Sequence, residues 1–194
     1  MTTTTFGYDP AQDRIWMRVH DQDVTLWLTR RLVRSILGPM LKVFEESTPG
    51  QQGGAAPRAR ASIEHQLSLH EAAPGQRPAQ IRVGREQPGQ ESDPQRRLCT
   101  RITTQAAPQG VTLNFETGAG PLVLRLSRKG MHLWYRGLAL VLPQTHWNLP
   151  EPLPEWLQDA MRIVITALAQ GGTAMTLDQL VAAWGDGPWI FNRG

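Results

Sequence analysis

The chain has 194 residues, 20 basic and 17 acidic side chains, a net charge of +3 and a hydrophobic share of 40%. At the usual figure of roughly 150 residues per domain this fits one domain and argues against two full ones. No apolar run approaches the ~20 residues that cross a bilayer, and the first residues lack the basic and apolar regions of a secretory signal, so the expected compartment is the cytoplasm. A single cysteine, Cys99, excludes an intramolecular disulfide framework and a cysteine-cluster metal site.

Only Lys42 and Lys129 are lysine; every other basic residue is arginine. Residues 1–48 carry 6 basic and 6 acidic side chains, 49–97 carry 7 and 5, and 98–194 carry 7 and 6. A protein that neutralises many phosphates gathers its positive charge on one face. Here the arginines form only local groups, which demotes nucleic-acid binding without removing it.

From Asp13 to Thr29 the chain reads as a two-stranded hairpin, because Ile15, Met17 and Val19 alternate with polar and aromatic neighbours, as do Val24, Leu26 and Leu28. A two-residue turn at Asp21-Gln22 places Val19 opposite Val24, Met17 opposite Leu26 and Ile15 opposite Leu28, with Trp16 opposite Trp27 on the other face. An opposed aromatic pair contributes about 0.5–1 kcal/mol, and a one-residue slip would lose both matches. Thr29 then caps an amphipathic helix whose apolar stripe runs Leu32, Val33, Ile36, Leu37, Met40, Leu41 and Phe44. A kink or break is expected at Gly38-Pro39. Arg30, Arg31 and Arg34 crowd the first turns of this helix, where its dipole disfavours positive charge.

Residues 49–97 are rich in Pro, Gly, Gln, Ala and Arg and too poor in large apolar residues to offset ordering entropy. They read as a flexible insertion. The exception is a short element around Ser62–Glu71, whose pattern fits a helix and a strand equally well. Beyond it, four strands of a meander are expected at Leu98–Gln105, Val111–Thr117, Leu122–Ser127 and Met131–Leu142, divided by turns containing Gly110, Gly118, Gly120 and Lys129-Gly130. The last turn would set Leu126 opposite Leu133, Leu124 opposite Tyr135, and Arg125 opposite Trp134 as a cation–π pair. Pro154-Glu155 opens a second helix with Leu157, Met161, Val164, Ile165 and Leu168 in a stripe, and Thr176 with Gln179 forms a capping box for a third. The expected fold is therefore α+β: an antiparallel sheet, made of an N-terminal hairpin and a four-strand meander, packed by an N-terminal helix and C-terminal helices. Residues 1–48 and 98–194 make one domain interrupted by 49–97.

No motif specifies a reaction. Cys99 lies in a strand, where a lone cysteine behaves as a small hydrophobe, and no serine occupies a nucleophile elbow. His65 and His70 are five apart, which does not align two imidazoles on one helix face as a spacing of four does. Glycine-rich phosphate loops are absent. What stands out is seven tryptophans against two tyrosines and four phenylalanines. Trp16, Trp27 and Trp134 are expected on strand faces that also carry Arg18 and Arg125, and exposed Trp with Arg is the composition of binding hot spots. Trp189, Ile190 and Phe191 make an apolar C-terminal anchor that either docks back on the domain or inserts into a partner.

The first expectation is thus a non-enzymatic interaction or assembly protein that binds another protein. Its candidate surfaces are Trp16, Arg18, Trp27, Arg30, Arg34, Arg125, Trp134 and Arg136, the 49–97 insertion, and the Trp189/Phe191 anchor. The second is a nucleic-acid binder that stacks bases on Trp16, Trp27 and Trp134 and holds phosphates with Arg18, Arg125 and Arg136. An enzyme using scattered residues such as His132, His146 and Glu116 comes third. No cofactor or metal is expected.

Overall fold

The computed structural model describes residues 3–50, 54–72 and 96–158. Three strands come first, β1 (Thr4–Asp9), β2 (Arg14–Val19) and β3 (Val24–Thr29), followed by helices α1 (Arg30–Glu46) and α2 (Pro57–Ala72). Then come β4 (Arg96–Ala107), β5 (Gly110–Thr117), β6 (Leu122–Ser127) and helix α3 (Arg128–Thr145). The result is an α+β fold built on one six-stranded sheet in the order β1-β2-β3-β4-β5-β6.

The β2–β3 register is the one the alternation dictates: Ile15 pairs with Leu28, Trp16 with Trp27, Met17 with Leu26 and Val19 with Val24. The connection is a 3-10 turn at His20–Gln22 closed by Asp23 in the left-handed region, φ 53°. The hairpin tip also reaches across the molecule, where the Gln22 side chain donates to the Val123 carbonyl of edge strand β6 at 3.2 Å. Thr29 caps α1 as expected, its hydroxyl accepting from the Leu32 amide at 3.2 Å, and the helix runs unbroken through Pro39.

Besides the break expected at Gly38-Pro39, which the continuous α1 does not show, four expectations are corrected. The sheet is mixed, because β3 and β4 pair in parallel. A chain leaving β3 through α1 and α2 re-enters the sheet from the starting end, and such a crossover makes a parallel neighbour. Strand β1, unanticipated because Thr4–Asp9 is largely polar, extends the hairpin at its edge. The segment Met131–Leu142 is not a strand but most of α3. Met131, Trp134, Tyr135, Leu138, Ala139 and Leu142 are buried at helical spacing, and Ser127 caps the helix by accepting from the Gly130 amide at 3.1 Å. The expected pairs Leu126/Leu133, Leu124/Tyr135 and Arg125/Trp134 therefore do not form. Finally, within 49–97 the stretch 57–72 is a packed helix, and Arg96 and Arg97 begin β4.

The core lies between the helices and one face of the sheet. Ile15, Met17, Val19, Leu26 and Leu28 meet Val33, Leu37, Met40 and Phe44 of α1, while Leu113, Phe115 and Leu124 complete it with Met131, Trp134 and Tyr135 of α3. Residues 155–158 form a helical turn that adds Trp156 and Leu157. Among the described residues no helix is long and apolar enough to cross a membrane.

Candidate functional site

Paired strand residues share a face, so the registers place Arg14, Arg18, Trp16, Thr25 and Trp27 together on the face opposite the helices. They are joined there by Arg96 and Leu98 of β4, Thr103 and Gln105 further along it, Thr112, Asn114 and Glu116 of β5, and Val123 and Arg125 of β6. Leu98 is 43% exposed and Val123 38%. The Trp16 ring lies across Gly7, where no Cβ interferes. Trp27 is only 7% exposed and sits under the Arg96 guanidinium, 5.8 Å from its ring centroid. Arg18 pairs with Asp23 and donates to Thr25, and Arg101 approaches Glu116 at 3.7 Å.

The face thus gathers Trp16, Arg18, Trp27 and Arg125 as the alternation implied. Trp134 is elsewhere: it is 2% exposed on α3, its ring edge against Phe6 and its Nε1 donating to Met17 Sδ at 3.2 Å. Arg136 is also on α3, where burial lowers its pKa. Arg30 and Arg34 project from the start of α1 into a shallow cleft of about 520 Å³ lined with Arg31, Ser35 and Pro150. Beside it Asp13 accepts from Tyr8 Oη at 2.8 Å and from Trp147 Nε1 at 2.6 Å. These two hydrogen bonds hold the Asp13 carboxyl below its usual range, helped by the Arg30 charge. Trp189 and Phe191 lie outside the described residues.

A second constellation was not anticipated. Where α2 docks, Arg128 of α3 forks onto the Glu64 carboxylate, Nε to Oε1 at 2.7 Å and Nη2 to Oε2 at 2.8 Å. Its remaining donors reach Ser47 Oγ at 2.9 Å and Thr48 Oγ1 at 2.7 Å, and its plane lies 4.3 Å over the Phe44 ring. Next to it the fully buried imidazoles of His65 and His132 meet Nδ1 to Nδ1 at 3.1 Å. Burial lowers the His65 pKa to about 3, aided by the neighbouring His132 and Arg136, and lowers that of His132 to about 4 against the pull of Glu64. Burial opposes ionisation of Glu64, but the Arg128 hydrogen bonds and charge prevail and lower its pKa.

With both rings neutral, one Nδ1 must donate and the other accept. His132 Nε2 lies 3.3 Å from Glu64 Oε2 without a well-aligned hydrogen bond, and the nearby carboxylate charge favours the proton on that nitrogen. Hence His132 Nδ1 accepts and His65 Nδ1 donates. His65 Nε2 is then left as a buried lone pair with no hydrogen-bond partner. Arg128, His65 and His132 are closed to solvent and only Glu64 is partly exposed, so the arrangement acts as a latch between helices. Among the described residues no group of histidine, cysteine and carboxylate side chains is arranged to hold a metal. The Cys99 thiol, pushed up to about 11 chiefly by burial, is a poor nucleophile.

Comparison with protein-family models, with curated proteins and with solved structures finds no match. Function therefore rests on the surfaces of this chain alone.

Proposed function

We propose that the chain is a non-enzymatic interaction protein that binds a partner protein on the open face of its sheet. The observation that carries this reading is the asymmetry of the sheet: the described helices build the core on one face, while the other presents Leu98 at 43% and Val123 at 38% exposure among arginine, threonine and half-buried Trp16. Apolar anchors within a polar, arginine-bearing rim are what a protein interface uses. The nucleic-acid reading loses support here. Trp134 is in the core and Trp27 is covered, leaving Trp16 as the one half-exposed tryptophan of the three intended for stacking.

Leu98→Asp/Val123→Asp tests the reading, since neither side chain belongs to the core. The variant is expected to keep the wild-type melting curve and to lose the stoichiometric partner that the tagged wild-type chain retains after nuclease treatment. A partner captured equally by both chains would place the interface elsewhere.

A further inference from the structure

The arginines at the start of α1 are placed against the interest of stability. Arg30, Arg31 and Arg34 are exposed on the solvent side of the first turns, where the helix dipole repels cations, and the first turn contains no acidic residue. Arg31 and Arg34 make no salt bridge among the described residues. Arg30 has Asp13 within electrostatic reach, but that carboxylate is already engaged by Tyr8 and Trp147. The Glu151 carboxylate lies against Gly38, one helical turn beyond Arg34. The three arginines share one cleft of about 520 Å³ walled by Ser35 and Pro150, and the Ser35 hydroxyl is turned inward to the Leu32 carbonyl at 2.8 Å. The polar groups the cleft offers are therefore guanidiniums, set around a lining that is otherwise apolar.

We propose that this cleft binds an acidic segment of a partner protein, two or three closely spaced carboxylates being held by Arg30, Arg31 and Arg34. Guanidinium groups take carboxylates in a bidentate fork. From Arg30 to Arg34 the helix rises only about 6 Å, which suits a short acidic cluster. A nucleic acid is the less favoured anion, because the tryptophans that would stack its bases are covered, Trp27 at 7% and Trp134 at 2% exposure. The proposal rests on the interaction reading for the class of partner, but it uses a different surface.

The test is fluorescence anisotropy with a labelled oligo-glutamate peptide and its oligo-glutamine counterpart, at low ionic strength where exposed charges are least screened. The wild-type chain, and equally Leu98→Asp/Val123→Asp, should bind the glutamate peptide and not the glutamine one, and Arg31→Ala/Arg34→Ala should weaken binding about tenfold or more. Arg31→Glu/Arg34→Glu should abolish binding and raise the melting temperature, because acids suit a helix start. Absence of glutamate-dependent binding, indifference to the alanine pair, or a lowered melting temperature in the glutamate pair would overturn the proposal. So would a single-stranded oligonucleotide or inorganic triphosphate that binds more tightly than the peptide through the same arginines. Because the sheet-face variant keeps this cleft intact, failure here is distinct from failure of the sheet-face reading.

Discussion

At the scale of single residues, the buried histidine pair makes folding sensitive to acid in a defined window. His65 and His132 ordinarily titrate at 6.5 but are held near 3 and 4 in the folded chain. An unfolded chain therefore binds two protons that the folded one refuses, and stability is lost as the pH falls below 6.5. The loss is about 1.4 kcal/mol per histidine for each pH unit once the unfolded groups are protonated. Glu64, whose pKa is lowered, acts in the same direction but at more acidic pH, where its pairing with Arg128 is lost. Urea unfolding between pH 7 and about 5 separates the two, since carboxylates contribute little there. His132→Gln should roughly halve the slope of stability against pH, and an unchanged slope would mean that these histidines do not carry it.

At the scale of elements, β1 is fastened to β2 by an aromatic ring that occupies the place of a missing side chain. A Cβ at Gly7 would lie 2.1 Å from Trp16 Cζ2, so Gly7→Ala must expel the indole. The expected cost is about 1–3 kcal/mol, and it should largely vanish when Trp16→Ala is already present, a coupling read from a double-mutant cycle. The β2–β3 pairing was legible in the sequence because strict alternation leaves only one register that puts Ile15, Met17 and Val19 with Val24, Leu26 and Leu28. Other elements were not. The run Met131–Leu142 is apolar almost throughout, so periods of two and of 3.6 fit it equally, and the Ser127 cap decides it only once the helix exists. The parallel β3–β4 pairing is set by where α1 and α2 return the chain, which no local pattern records. The arginine cluster was visible because its members are adjacent. The latch was hidden because His65 and His132 are 67 positions apart and Glu64 and Arg128 are 64.

At the scale of the whole molecule, the helices are attached by different forces. Helix α1 buries Leu32, Val33, Leu37, Met40, Leu41 and Phe44, and α3 buries Met131, Trp134, Tyr135, Leu138 and Leu142. Helix α2 instead buries Ala61, His65, Ser68 and Ala72 and leaves Ile63 at 58% and Leu67 at 57% exposure. Little apolar area holds it down. Its attachment depends on the Glu64–Arg128 fork, the histidine pair and the Arg58–Glu45 contact at 3.2 Å. Hydrogen-bonded contacts of this kind contribute less than a buried apolar stripe and are lost together when one partner is removed. Helix α2 should therefore open as a unit below the free energy of global unfolding. Native-state hydrogen exchange should show α2 amides exchanging at a common rate faster than those of α1, α3 and β2–β5. Glu64→Gln keeps the shape of the side chain but removes its charge, and should accelerate α2 specifically while leaving α1 and the sheet unchanged. If α2 exchanges only with the rest of the molecule, its polar contacts are part of the cooperative core, and the latch is as strong as the apolar packing beside it.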